Sequence, residues 1–211
     1  MIEIYSITYY VLIVISLIVG LLIYLKMAEK WSIIDQPNSR SSHVYITKRG
    51  GGVIYLFGMI VYIICSKFNM SNIIICGLFL GLMGFIDDVK NLDFKIKLVL
   101  QSLTIGLFLT TDYYVGLEWY LLILMFFFIL SSINILNFMD GINGMTILYS
   151  LTFLISFYII NTHFIVFTDS NFLLIIILSN LIIGFFNVRK RAICFLGDVG
   201  AISMGFIYAI L

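Results

Sequence analysis

Eight continuous apolar stretches constrain the fold of this chain more than any other feature. They cover residues 7–25, 53–66, 73–86, 94–111, 119–136, 145–160, 172–186 and 199–211. A membrane-spanning helix needs about 20 mostly apolar residues, and several stretches approach that length. The strands of a membrane barrel would instead alternate apolar and polar residues. The sequence therefore predicts an all-α fold, a polytopic transmembrane helical bundle of about eight helices.

The composition excludes the other broad classes of protein. Apolar residues make up 62% of the 211 residues and charged residues only 11%, whereas soluble domains carry about 25% charged residues. A soluble fold of this size cannot bury so much apolar surface, and a disordered chain would be polar and poor in aromatic residues. The single proline, Pro37, argues against long linkers. We therefore expect one membrane-embedded domain over residues 1–211, in contact with the lipid bilayer.

The basic residues predict the orientation of the bundle. Eleven of the 12 Lys and Arg residues fall in alternate loops, and only Lys67 lies in the other set. By the positive-inside rule, the basic side is cytoplasmic and the N-terminus is external. A membrane transporter is a remote alternative, because no ionisable residue lies in the middle of an apolar stretch. A formal net charge of +1 gives no basis for a nucleic-acid partner.

The first cytoplasmic polar cluster combines basic residues with three consecutive glycines. It occupies residues 35–52 and contains Arg40, His43, Lys48 and Arg49. Glycines that precede a helix allow backbone N–H groups to approach an anion closely, and Arg or Lys side chains bind phosphate oxygens. This pattern indicates an anion site. The alternative is a solvated basic loop that only sets the topology.

The second cluster places two adjacent carboxylates at the end of an apolar stretch. Asp87 and Asp88 are followed by Lys90, Lys95 and Lys97. Neighbouring carboxylates repel each other unless a cation lies nearby, and such a pair suits a Mg²⁺ site or a general base. The alternative is a helix end that meets water, with the next helix capped by a following aspartate.

The third cluster is rich in amide and carboxylate oxygens. Asn134, Asn137 and Asp140 are spaced by three residues, which predicts one helical face, and Asn143 follows. Oxygen ligands of this kind suit Mg²⁺. The alternative is a hydrogen-bonded turn.

The fourth cluster begins with three basic residues, 189–191, and ends in a Gly-Asp-x-Gly turn that contains Asp198. Asp198 either caps the helix that follows or binds a metal beside the carboxylates of the second and third clusters. Taken together, the four clusters supply what a Mg²⁺ ion and a nucleotide diphosphate need at a membrane surface.

The motifs in these clusters resemble those of a known family. They read D-x-P-x-x-R-S-x-H with R-G-G-G, then G-F-x-D-D, N-x-x-N-F-M-D-G-x-N-G and F-L-G-D-x-G, in this order between residues 35 and 205. The chain resembles the polyprenyl-phosphate N-acetylhexosamine-1-phosphate transferases, glycosyltransferase family 4. The resemblance implies that a UDP-sugar donates N-acetylhexosamine-1-phosphate to undecaprenyl phosphate and releases UMP. The product would initiate a cell-envelope glycan: an O-antigen, a capsule, a teichoic acid or a peptidoglycan precursor.

The resemblance also implies roles for individual residues, at the cytoplasmic face of a bacterial plasma (inner) membrane. Its catalytic set comprises Asp87, Asp88 and Asp140. The substrate-binding set comprises Arg40, His43, Arg49, Lys97, Asn134, Asn137 and Phe195, with Phe195 stacked on uracil and Lys97 near the diphosphate. The metal set comprises Asp198 and Asn143, with Mg²⁺ as the cofactor and Mn²⁺ as its substitute.

The resemblance further implies sequence beyond residue 211. Family members continue through further helices and a cytoplasmic loop that bears a His-x-His motif. We therefore expect a chain that lacks this C-terminal part and turns over a UDP-sugar poorly by itself. The alternative is a non-catalytic remnant that binds nucleotide or lipid phosphate.

Overall fold

The computed structural model describes residues 7–37, 45–66, 70–111 and 114–211. These residues form eight α-helices: α1 (Ile7–Lys30), α2 (Val53–Cys65), α3 (Ser71–Lys90), α4 (Phe94–Leu109), α5 (Trp119–Met139), α6 (Met145–His163), α7 (Ser170–Asn187) and α8 (Gly197–Ile210). Each predicted apolar stretch coincides with one helix, which confirms the all-α helical bundle.

Five of the described helices are long and apolar enough to cross a membrane: α1, α3, α5, α6 and α7. Large apolar side chains such as Leu12 and Phe127 point outward from α1 and α5, as expected for surfaces that face lipid. The chain is therefore an integral membrane protein. The other three described helices, α2, α4 and α8, are shorter, with 13, 16 and 14 residues. Neighbouring helices bury α8 along most of its length.

A small sheet lies at the first polar cluster, and a further β-bridge connects it to the fourth. Strand β1 (Ile34–Asp35) pairs antiparallel with β2 (Thr47–Lys48), outside the apolar stretches, for which we expected no strands. Lys48 also forms a parallel bridge to Cys194, and the backbone N–H of Phe195 donates to the Lys48 carbonyl oxygen at 2.8 Å. The first and fourth clusters are therefore joined by backbone hydrogen bonds.

Small residues allow α8 to approach its neighbours closely, as is common between membrane helices. A Cβ added at Gly84 of α3 would lie 2.7 Å from the carbonyl oxygen of Asp198. One added at Gly205 of α8 would lie 2.6 Å from the Cα of Ile133 in α5. Because α3 and α8 pack so closely at Gly84, the C-terminal end of α3 lies against the N-terminal end of α8.

Hydrogen bonds fasten the opposite end of the bundle. Asp169 caps α7 and accepts a hydrogen bond from the Tyr62 hydroxyl at 2.8 Å. The Asn161 side chain accepts from two backbone N–H groups of the loop between α6 and α7 and donates to the Thr168 carbonyl oxygen. The donors and acceptors of this end are paired with one another, which is typical of a structural role.

Candidate functional site

Residues from four segments form a charged cluster at one end of the bundle. Its members are Arg49 before α2, Asp87 and Asp88 near the end of α3, Lys97 in the first turns of α4, and Asp198 at the start of α8. Four ion pairs connect them. The sequence analysis selected Arg49, the Asp87–Asp88 pair and Asp198 from three separate motifs, and Lys97 from the residues that follow the second motif. The structure brings all of them together.

Asp88 is the most deeply buried carboxylate of the cluster, with a side chain that is 0% exposed. Its Oδ1 lies 2.7 Å from Arg49 Nε and accepts the backbone N–H of Asp198 at 2.9 Å. Its Oδ2 accepts the backbone N–H of Val199 at 3.1 Å. Asp88 therefore caps α8 from a neighbouring helix. The alternative that Asp198 caps its own helix is wrong. Helix α8 begins at Gly197, so its N-cap residue is Leu196, and no side chain there accepts a capping hydrogen bond.

Asp87 and Asp198 share the cations of the cluster. Lys97 Nζ lies 2.7 Å from Asp87 Oδ2 and 3.7 Å from Asp198 Oδ2, and Arg49 Nη2 lies 3.1 Å from Asp198 Oδ1. The backbone N–H of Leu92 donates to Asp87 Oδ1 at 2.7 Å. Asp198 has the most exposed of the three carboxylates, with 16% of its side chain accessible against 5% for Asp87. A ligand from solution therefore reaches Asp198 first.

Asp140 extends the cluster toward the third polar segment. It follows the end of α5 and lies near Arg49 and the backbone N–H of Gly197, and both interactions favour its ionised form. Burial outweighs them and raises the pKa of Asp140 to about 6. Because α5 ends at Met139, Asp140 lies in a turn and not on the helical face predicted from the spacing of three.

The charges in this region do not balance. Among the described residues, and with Asp140 included, four carboxylates lie near two cations, so full ionisation of these six groups leaves an excess of two negative charges. Within the described ranges, no three His, Cys, Asp or Glu side chains are arranged as a metal cage. Mg²⁺ often binds to one or two carboxylates and completes its shell with water and substrate phosphates. The donor set therefore fits Mg²⁺ that is shared with a phosphorylated ligand.

The other residues of the third cluster lie near the same end of the bundle. Asn134 does not contact a carboxylate; its Nδ2 donates to Gln101 Oε1 at 2.9 Å and to the Leu130 carbonyl oxygen at 2.8 Å. Asn137 and Asn143 are half-buried on either side of the turn that contains Asp140. Their roles in binding substrate and metal stay predictions.

Two of the three consecutive glycines do not offer their N–H groups to an anion. The N–H groups of Gly51 and Gly52 donate to the carbonyl oxygens of Phe195 and Leu196, both at 2.8 Å. A Cβ at Gly51 would lie 2.9 Å from Cys194 Sγ. These glycines are therefore needed because the fourth cluster packs directly against them, which consumes the donors that an anion would use.

The remaining predicted residues occupy different surroundings. Arg40 and His43 lie outside the described residues. Phe195 is half-buried, and its backbone joins the first cluster. Lys48 forms an ion pair with Glu29 at 2.8 Å.

Two positioning residues were missed as site residues by the sequence analysis. Asn187 accepts the N–H of Gly144 at 2.7 Å and donates to the Cys194 carbonyl oxygen at 3.0 Å, so it ties the third cluster to the fourth. Gln101 holds Asn134. In the sequence, Gln101 is marked only as a polar residue within an apolar stretch, and Asn187 only as a polar residue at the end of one.

The comparison with protein families identifies the family of this chain. The family model described as glycosyl transferase family 4 matches residues 70–211, about two thirds of the chain. The chain belongs to glycosyl transferase family 4. The match contains all four carboxylates and Lys97 but not Arg49, which precedes the matched residues and which the structure pairs with Asp88. No curated protein matches the chain. This member of the family is a membrane glycosyl-1-phosphate transferase.

Proposed function

We propose that this member of glycosyl transferase family 4 transfers N-acetylhexosamine-1-phosphate from a UDP-sugar to undecaprenyl phosphate and releases UMP. The observation that carries the proposal is the charged cluster at the ends of membrane helices, where carboxylates outnumber cations. A lipid phosphate and a soluble nucleotide meet at such a surface. The product would begin a cell-envelope glycan in the plasma (inner) membrane of a bacterium.

The contacts of each residue in the cluster indicate its role in the proposed reaction. Arg49 and Lys97 are the donors that would bind phosphate oxygens and stabilise the negative charge that develops on them. Asp87 borders Lys97 and Asp198 and would accept the proton of the lipid phosphate. Asp88, with both oxygens engaged, would hold Arg49 and Asp198 in place.

Asp198 would hold the metal ion, Mg²⁺ or Mn²⁺, with Asn143 as the second predicted ligand. When bound, the ion would neutralise charge on the diphosphate and so favour its cleavage. The lipid phosphate oxygen then attacks the β-phosphorus, a new phosphorus–oxygen bond forms, and the bond to UMP breaks. The excess of negative charge in the cluster supports this assignment.

The proposal predicts that the purified chain forms Mg²⁺-dependent product, at the low rate expected of residues 1–211 by themselves. The measurement is release of UMP and formation of lipid-linked sugar in lipid nanodiscs, with undecaprenyl phosphate and a panel of UDP-N-acetylhexosamines. Undecaprenol, which lacks the phosphate, is the matched control and should give no product. Binding of a UDP-sugar without turnover, with either Mg²⁺ or Mn²⁺, would contradict the proposal and favour a non-catalytic binding protein.

The topology predicts which loops a membrane-impermeant thiol reagent reaches. In a variant without the three native cysteines, Glu118→Cys should react in intact cells, whereas Lys90→Cys should react only after permeabilisation. Both positions are exposed and lie at opposite ends of membrane helices, so the pair is matched. Labelling of Lys90→Cys in intact cells would overturn the cytoplasmic assignment of the charged cluster.

A further inference from the structure

Gln101 in α4 carries a buried hydrogen-bond donor without a partner. The residue is 1% exposed, and its Oε1 accepts a hydrogen bond from Asn134 Nδ2 at 2.9 Å. Its Nε2 is fully buried and has no hydrogen-bond partner among the residues that the structure describes. An unsatisfied buried donor is unfavourable for folding, so this amide requires an explanation.

The neighbouring contacts fix which end of the amide is unpaired. Asn134 Nδ2 has two hydrogens, and the second is donated to the Leu130 carbonyl oxygen at 2.8 Å. Turning the Asn134 amide around would place its oxygen against that carbonyl oxygen. Asn134 must therefore donate from its side-chain nitrogen to Gln101, and Gln101 must accept with its side-chain oxygen. The unpaired group is thus the NH₂ of Gln101.

The position of Gln101 relates this donor to the charged cluster. Lys97 precedes it by four residues in the same helix, so the two side chains lie on one helical face, about 6 Å apart along the axis. Since α4 begins at Phe94 at the cluster end of the bundle, Gln101 lies one turn deeper toward the membrane interior than Lys97. The Lys97 ammonium group and, one helical turn deeper, the unpaired NH₂ group of Gln101 are thus two hydrogen-bond donors on the same face of α4.

We propose that Gln101 Nε2 donates a hydrogen bond to an oxygen of the polyprenyl phosphate while Lys97 binds the same phosphate group. This inference rests on the proposed function. Both substrates carry phosphate, but they reach the cluster from different depths in the membrane. A lipid-anchored phosphate reaches the cluster from the membrane side, where Gln101 lies, whereas a nucleotide diphosphate arrives from water. The Gln101–Asn134 pair joins α4 to α5, so the lipid phosphate would enter beneath Lys97, between these helices.

The test compares substrate binding by two Gln101 variants in nanodiscs. Gln101→Met keeps the length of the side chain and removes the donor, whereas Gln101→Glu keeps an acceptor for Asn134 and places negative charge toward the phosphate. Affinity for undecaprenyl phosphate, with undecaprenol as the reference lipid, is measured by native mass spectrometry. Affinity for UDP-N-acetylglucosamine is measured by calorimetry. A hydrogen bond to a charged group supports an expected loss of about tenfold to a hundredfold for Gln101→Met with the lipid phosphate. We expect a larger loss for Gln101→Glu and unchanged nucleotide affinity for both.

Thr104→Val is the control for altered packing of α4. Thr104 is also buried in α4, and within the described part of the chain its hydroxyl bonds to the Leu100 carbonyl oxygen of its own helix alone. This variant should therefore bind both ligands as the unmodified protein does. Unchanged affinity of Gln101→Met and Gln101→Glu for undecaprenyl phosphate would overturn the inference and leave the proposed function standing. A loss confined to the nucleotide would also overturn it. Failure of the unmodified protein to distinguish undecaprenyl phosphate from undecaprenol would remove the proposed function and, with it, this inference.

Discussion

Asp198→Asn should lower the rate of UMP release by at least about a hundredfold, because one oriented electrostatic group at a reacting centre contributes that much or more. Asp198 is the most exposed of the three carboxylates that pair with Arg49 or Lys97, and the variant removes its negative charge while preserving its shape. The first measurement is the initial rate in nanodiscs at saturating substrates. Binding of Mn²⁺, followed by electron paramagnetic resonance, gives a second readout that needs no turnover.

Asp93→Asn is the matched control for this charge removal. Asp93 is exposed and caps α4 by accepting the N–H of Lys95, a bond that asparagine makes equally well. We expect its rate and its affinity for Mn²⁺ to equal those of the unmodified protein. If Asp198→Asn also retained both, Asp198 would not be the metal ligand.

Gly84→Ala should destabilise the bundle and disturb the site together. The added Cβ would lie 2.7–2.8 Å from backbone atoms of Asp198 and Val199, and backbone cannot move aside as a flexible side chain can. Overpacking of this kind lowers the free energy of unfolding by about 1–3 kcal/mol, with a fall in melting temperature of about 2–4 °C per kcal/mol for a chain of this size. Because the displaced segment carries Asp198, UMP release should fall further than the loss of folded protein explains.

Gly106→Ala supplies the comparison. Gly106 lies within α4 and has no atom within 4 Å of an added Cβ, and alanine favours helix more than glycine does. Its melting temperature should equal or exceed that of the unmodified protein. A Gly84→Ala variant as stable and active as Gly106→Ala would show that α3 and α8 do not pack as closely as described.

The sequence predicted the helices well because membrane helices are defined locally. Each apolar stretch contains the information for its own helix, since a helix satisfies its backbone hydrogen bonds without partners elsewhere in the chain. Helix ends were less accurate. The stretch that begins at residue 119 was expected to place Asp140 on a helical face, but α5 stops at Met139, where the following glycine-rich turn begins.

The arrangement of the site depends on contacts between distant segments. The residues Asp87, Asp88 and Asp198 were found from their motifs, but a motif does not reveal that Asp88 caps α8 from another helix. The glycines before α2 illustrate the same limit. A Gly-rich stretch before a helix suits an anion or a closely packed backbone, and only the position of residues 195–196 decides between them.

Asp88 has a consequence for how this protein is made. Synthesis proceeds from the N-terminus, so Arg49 and Asp88 enter the bilayer well before Asp198, which lies 149 and 110 residues further along the chain. Until α8 arrives, the Asp88 carboxylate lacks the two N–H donors that it caps in the finished bundle, and a buried charge with unsatisfied hydrogen bonds is unfavourable. Ordering of the charged end therefore waits for the insertion of α8, whose first residues supply these donors.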